Sequence, residues 1–291
     1  MNNEEFRKLT DGGILLLDGA MGSNLRLAGM PAGASTELWA LEHPEVVIEL
    51  QRGYVDAGSD ILYAPTFCAN RVSLGRHRQA ERLNEINAGL VALSKRAADG
   101  RALVAGDLTT VGEPLEPYGD LEYDELLDIY KEQIAALAGA GADLLVAETM
   151  LSIDECACAV EAVRAVCDLP IMCSVTVDAN GRVLFGGAAD EAVRRLQDAG
   201  ACAVGVNCSV GPDQLEAVVA SMKAVARVPV IAKPNAGMPT TDDKGVAHYS
   251  MTPERFAEAM QKLVDAGATV IGGCCGTTPE FIARLAKRFK S

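Results

Sequence analysis

Eight short apolar runs, each followed by a longer amphipathic stretch, constrain this chain more than any other feature. The runs cover residues 14–17, 61–64, 102–105, 144–147, 171–177, 203–206, 230–232 and 269–271, and read as buried strands. Helical spacing follows over 44–57, 78–98, 123–140, 153–166, 191–199, 212–226, 253–266 and 279–288. Several of these helices open on proline (Pro44, Pro212, Pro253, Pro279), where its missing N–H costs least. Before most strands stands Ala-Gly: Ala57-Gly58, Ala140-Gly141, Ala199-Gly200 and Ala266-Gly267. Glycine just past a helix end lets the chain turn back toward a sheet. Eight β–α units with short turns predict an α/β fold, a single (β/α)8 barrel over residues 1–291, ahead of an open doubly wound sheet. No Gly-x-Gly-x-x-Gly or phosphate-loop pattern follows the first strand, which lowers the weight of nucleotide-binding folds.

The charge balance narrows the partners. The formal net charge is −14 and no lysine- or arginine-rich stripe stands out, so nucleic acid is not an expected partner. The first residues are polar and no apolar stretch approaches the ~18 residues of a membrane span, so neither a signal peptide nor a membrane segment is expected. Nine cysteines without framework spacing suggest free thiols and a cytoplasmic location.

Three of those cysteines stand apart. Cys208 lies in Gly205-Val206-Asn207-Cys208-Ser209, directly after one strand candidate. Cys274 and Cys275 lie in Gly272-Gly273-Cys274-Cys275-Gly276, directly after another. Neighbouring residues in a regular strand point to opposite faces, so adjacent thiols converge only where the backbone leaves strand geometry. The flanking glycines permit that and would weaken a core strand. Three thiolates around one ion make a zinc site with an open fourth position, the catalytic arrangement. Cys156, Cys158, Cys167, Cys173 and Cys202 fall in alanine- and valine-rich segments and read as small core residues.

In a barrel, the residues after each strand line one mouth, where active sites gather. They are Asp18-Gly19-Ala20, Pro65-Thr66-Phe67, Gly106-Asp107, Glu148-Thr149, Asp178, Asn207-Cys208, Lys233-Pro234-Asn235 and Cys274-Cys275. Asp18 also suits a turn, Asp107 and Glu148 suit helix caps, and Lys233 and Asn235 suit ordinary loop positions. Convergence favours function, since carboxylates near a zinc–thiolate centre can bind a substrate ammonium. His43, His77 and His248 lie outside these positions, which argues against histidine ligation or general-base work.

Taken in order, these motifs resemble the homocysteine S-methyltransferase family over nearly the whole chain. The stretches that carry the resemblance are Asp18-Gly19-Ala20-Met21-Gly22, Thr66-Phe67, Gly106-Asp107, Glu148-Thr149, Gly205 to Ser209, Pro234-Asn235-Ala236-Gly237 and Gly272 to Pro279. The resemblance implies a (β/α)8 barrel with zinc on Cys208, Cys274 and Cys275. It implies that Glu148 and Asp18 meet the homocysteine amino group while backbone N–H groups at Gly19 and Ala20 hold its carboxylate. Asn235 would fill the fourth zinc position before substrate arrives, whereas Cys68 reads as a packed thiol rather than a ligand. Methionine is then the product.

The family divides by methyl donor. Thr149 stands where the betaine-using branch has tyrosine, and Gly276 where the S-methylmethionine branch usually has arginine. The motif forms look most like the homocysteine domain of the cobalamin-dependent methionine synthases, whose folate and cobalamin modules are not expected within these 291 residues. A separate methyl-corrinoid protein is the expected donor, with no corrinoid or folate bound by this chain. Pro65, Cys68, Trp39 and the stretch Thr109-Thr110-Val111-Gly112 depart from the usual family residues and are expected on loops at the mouth. Three other readings stand beside this one: the same chemistry run backward to demethylate an S-methyl compound, a homocysteine methyltransferase that uses S-methylmethionine or betaine, and a zinc-binding scaffold without catalysis.

Overall fold

The computed structural model describes residues 1–178, 180–241 and 247–290. Eight parallel strands form one sheet: β1 (Leu15–Leu16), β2 (Ile61–Tyr63), β3 (Leu103–Leu108), β4 (Leu144–Met150), β5 (Ile171–Val175), β6 (Ala203–Cys208), β7 (Val230–Pro234) and β10 (Ala268–Ile271). Hydrogen-bonded order runs β1-β10-β7-β6-β5-β4-β3-β2. A parallel bridge between Leu17 and Ile61 joins the two ends, so the sheet closes on itself. Asp60 reinforces that seam, its N–H donating to Leu16 O at 2.7 Å and its carboxylate accepting from Leu16 N at 2.8 Å. This is the expected (β/α)8 barrel.

The expected glycine stops are all in place. Gly58, Gly141, Gly200 and Gly267 have φ of 105°, 86°, 109° and 111°, a region open to glycine at little cost. Two helical expectations needed revision. The stretch 78–98 divides into a 3₁₀ turn at Ala80–Arg82 and a helix at Leu83–Ala98, and 212–226 into a 3₁₀ turn at Pro212–Gln214 and a helix at Glu216–Val225.

Strands β3, β4, β6 and β7 run two to three residues beyond the apolar runs that announced them, taking in Asp107, Glu148, Cys208 and Lys233. Hydrogen bonding between strands continues where the inner face turns polar, and an apolar count stops too early there. A pair of short antiparallel strands, β8 (Pro239–Thr241) and β9 (Ala247–Tyr249), was not foreseen.

Two apolar regions hold the barrel. Between strands and helices lies the larger one, including Leu16, Leu62, Val104, Leu145, Cys173 and Val206. Inside the barrel, Leu15, Leu17, Ile61, Ala105, Leu144, Val146, Met172, Ala203, Ile231 and Val270 fill the lower half. Phe6, 1% exposed, joins this inner group as the one buried residue of the helix Asn3–Thr10. Its ring therefore belongs to the barrel core, and burying such a side chain contributes about 1.5–3 kcal/mol.

Candidate active site

Strand β6 ends in an abrupt change of backbone. Cys208 and Ser209 have φ of 56° and 58°, left-handed values that side-chain-bearing residues adopt only when held there. Ser209 Oγ supplies the hold, accepting from Val177 N at 3.0 Å and donating to Asn207 O at 3.0 Å. The second thiol group follows β10. Gly272 N donates to Ala232 O and Cys274 N to Pro234 O at 2.7 Å, so the chain tracks β7 as far as Cys274. A tight turn then closes, with Cys274 O accepting from Thr277 N and Oγ1. At its tip Gly276 has φ 82°, and any Cβ there would lie 2.3 Å from the Tyr249 ring.

The result brings Cys208, Cys274 and Cys275 together, their sulfurs all within 4.8 Å of one another. Cys208 and Cys275 are 3.9 Å apart. Tetrahedral zinc with ~2.3 Å bonds to sulfur places two sulfurs ~3.8 Å apart, a spacing the Cys208–Cys275 pair matches. Packed together, the thiols do not ionise alike. Hydrogen bonding from Cys208, then Cys274, holds Cys275 down to about 3, whereas Cys208 is pushed far up. Tyr249, from β9, lays its ring over Gly276 beside Cys275, and its influence adds to the lowering of the Cys275 thiol. The cluster is a candidate metal centre of thiolate character.

Below the sulfurs lies an acidic floor. Asp18, Asp107 and Glu148 are buried, and so is Lys233, the one lysine among them. Lys233 Nζ stands 3.6 Å from Asp18 Oδ1, 3.7 Å from Glu148 Oε2 and 4.8 Å from the centre of the Tyr63 ring. Burial pushes Asp18 and Glu148 up to about 7, with Lys233 pulling both the other way. Asp107 is driven well above the carboxylate range by burial and by the charge of Glu148.

Asn207 ties floor to sulfurs. Its amide donates to Glu148 Oε2 at 3.2 Å and Thr149 Oγ1 at 2.7 Å, and its Oδ1 accepts from Thr149 N and Ser174 Oγ. The whole opens into a cavity of about 480 Å3, lined by Asp18, Asp107, Glu148, Lys233 and the three cysteines together with Gly19 and Ala20.

The remaining expectations meet mixed outcomes. Gly19 is required by close approach, since a Cβ there would lie 2.6 Å from Tyr54. The Ala20 N–H is already bonded to Thr277 Oγ1 at 3.1 Å, which leaves it unfree for a carboxylate. Asn235 is buried with its Oδ1 lacking a hydrogen-bond partner, while its N–H donates to Val210 O. Cys68 lines the cavity outside the sulfur cluster, with burial raising its thiol to about 12. Pro65 also lines the cavity, but Trp39 does not: it is buried in the helix Thr36–Glu42 and stacks on His43 at 4.0 Å. Asp178 sits in an exposed turn, accepting from Asn180 N and Arg182 N. His77 lines the outer cavity. Sequence reasoning missed the roles of Lys233, Asn207 and Tyr249. For Lys233 a signal existed, because it lies two residues after the buried Ile231 and so shares its inward face.

Residues 15–289 match the sequence profile of the homocysteine S-methyltransferases. The chain belongs to that family. The family is one of methyltransferases. A methionine synthase of Mycobacterium tuberculosis is 30% identical over 94% of this chain, and the chain spans about a quarter of that relative's length (24%). The homocysteine methyltransferase MmuM of Escherichia coli in its oxidized form superposes with a TM-score of 0.80 at 25% identity, covering 94% of this chain and 96% of that one. Its metallated form gives 0.81 at 24% identity, over 97% and 99%. Among the described residues no helix is long and apolar enough to cross a membrane.

Proposed function

We propose that the protein is a zinc-dependent thiol methyltransferase that converts homocysteine to methionine, with the methyl group presented by a separate corrinoid protein. One observation carries the reading: three convergent sulfurs stand directly beside a buried, cation-seeking group of carboxylates. Cys208, Cys274 and Cys275 would hold the metal and leave one position open, with Asn235 Oδ1 the candidate to fill it before substrate arrives. Bound zinc lowers the pKa of an arriving thiol, which otherwise is mostly protonated at neutral pH.

The chain's own residues do the rest. The acidic floor of Asp18, Glu148 and their neighbours draws in the amino-acid end of the acceptor by its ammonium. The backbone around Gly19 faces its carboxylate. Tyr63 and the buried barrel layer beneath exclude water. The thiol proton leaves to solvent, the sulfur forms its new bond to carbon, and the donor departs with the electron pair of its former methyl bond. That displacement needs reacting atoms about 3–3.5 Å apart.

The donor assignment is supported by Thr149 and Gly276, which depart from the betaine and S-methylmethionine patterns. About 480 Å3 is the volume of a small-molecule site, so a corrinoid must present its methyl group from the mouth. Nine unpaired thiols accord with a reducing, cytoplasmic setting.

The test is anaerobic turnover of the zinc-loaded protein with homocysteine and a panel of donors: methylcobalamin, methyl-corrinoid protein, S-methylmethionine and betaine. Methionine should form with both corrinoid donors, faster with the protein-bound one. Turnover with betaine or S-methylmethionine alone would overturn the donor. Absence of turnover with homocysteine and every donor would overturn the reaction.

A further inference from the structure

Glu148 reaches the cavity through an irregular stretch of backbone. Along the β4–β5 pairing Ala147 faces Cys173 and Met150 faces Val175, so three residue steps on β4 are matched by two on β5. The surplus residue makes a bulge, a device that re-aims a neighbouring side chain. Thr149 sits in it with φ of 58°, left-handed backbone that a β-branched residue rarely adopts and that glycine takes freely. Such a conformation persists only where the surroundings hold it.

Two side chains do the holding, and both grip one peptide unit. Thr109 Oγ1 donates to Glu148 O at 2.9 Å, while Asn207 Oδ1 accepts from Thr149 N at 2.7 Å. A backbone N–H only donates, so the amide oxygen of Asn207 must face it and the amide nitrogen must face the other way. From there Nδ2 reaches Thr149 Oγ1 at 2.7 Å and Glu148 Oε2 at 3.2 Å. Ser174 Oγ donates to the same Oδ1 at 2.8 Å, and Asn207 is fully buried. One side chain thus fixes both the backbone beneath Glu148 and the carboxylate at its tip.

We propose that Asn207 is a positioning residue of the acceptor site: it holds Thr149 in the left-handed bulge and so sets where Glu148 presents its carboxylate. The inference rests on the reading in which Glu148 meets the acceptor's ammonium group. Asn207 acts on the acceptor through Glu148, and Thr109 is the second grip on the same peptide. The strain arises from the side chain of residue 149, so removing that side chain removes most of the need for the grip.

The experiment is calorimetric titration of the zinc-loaded protein with homocysteine and with 4-mercaptobutyrate, which keeps thiol and carboxylate but lacks the amino group. Zinc content and melting temperature are read for every variant. Asn207→Ala should bind homocysteine about 10- to 100-fold more weakly, the range for release of a strained backbone, and bind 4-mercaptobutyrate as wild type does. The double variant Asn207→Ala/Thr149→Gly should regain most of the lost homocysteine affinity, because glycine takes the left-handed conformation unaided. A role in packing alone would give no such rescue. Thr109→Val removes only the second grip and should show the same selectivity with a smaller loss. Homocysteine binding unchanged in Asn207→Ala, equal losses of both ligands, loss of zinc, or a double variant as weak as the single one would each overturn the proposal. If Asn207→Ala does not fold, unchanged homocysteine binding in Thr109→Val would overturn it. Wild-type protein that binds neither thiol, or binds both equally well, would instead overturn the acceptor reading beneath it.

Discussion

The lower and upper halves of the barrel interior are built on the same strands and differ by a single pleat. In the lower half Ala105, Val146, Met172 and Ile231 meet in an apolar layer. Two residues further along each of those strands, on the same inward face, stand Asp107, Glu148, Ser174 and Lys233. The lower layer is fully satisfied by packing alone. The upper layer leaves Asp18 Oδ1 and Asp107 Oδ1 without hydrogen-bond partners, raises three carboxyl groups above their ordinary range and crowds three thiols together. The lower half supplies stability; the upper half gives some back to keep charge and sulfur where a ligand meets them.

The sharpest test of that division removes a sulfur. Reduced wild-type protein should hold about one zinc per chain, and Cys274→Ala should hold almost none, since three-thiolate binding at neutral pH is worth on the order of 10 kcal/mol. Cys156→Ala, in the outer apolar region, should leave zinc content unchanged. Full zinc occupancy in Cys274→Ala by elemental analysis would detach the metal from the upper layer.

A charge moved down one pleat is the next test. Val146→Asp would place a carboxylate in the apolar layer, at a cost of about 3–5 kcal/mol, as for an uncompensated buried charge. Denaturant unfolding should show a loss of that size or failure to fold. A loss below about 1 kcal/mol would mean the two layers are not chemically distinct.

Phe6→Ala tests the bottom of the same layer. Removing this ring should cost about 3–5 kcal/mol by chemical denaturation, with zinc content unaffected. A change in zinc content would show that the halves are coupled.

The smallest effect is a pH dependence confined to the upper layer. Asp18 and Glu148 have folded values near 7 against ordinary values of 3.8 and 4.5, so the folded state retains protons that the unfolded chain has released. Their contribution to stability is present below about pH 4 and is lost as the pH rises through 7. Metal-free protein should therefore melt at a lower temperature at pH 8 than at pH 5. Asp18→Asn should flatten the slope, and an equal slope in that variant would assign the effect elsewhere.

Much of this architecture was legible in the sequence because its causes are local. The four Ala-Gly stops at Gly58, Gly141, Gly200 and Gly267 need only a helix end and a residue tolerant of positive φ. The apolar runs located every barrel strand. The glycines around Cys274 and Cys275 announced a backbone that leaves strand geometry, and the structure shows it doing so. Lys233 was harder to place. Its position beside Pro234 suggested a loop, and the pairing of β7 with β6 shows that the inward face of Ile231 continues to it. Tyr249 offered no signal, because its proximity to Cys275 arises from β9 folding across Gly276.

The sequence by itself determined the barrel, the eight-fold alternation behind it, and the identity of the thiols and carboxylates at its mouth. These follow from residue periodicity and chemistry over spans of a few positions. Tertiary structure alone decided the company those groups keep: Lys233 between Asp18 and Glu148, Asp107 left unpartnered, Tyr249 against Cys275, and Ala20 N–H spent on Thr277. The physical reason is closure. Joining β1 to β2 through Leu17 and Ile61 sets all eight inner faces toward one axis, so residues far apart in the chain become each other's electrostatic environment.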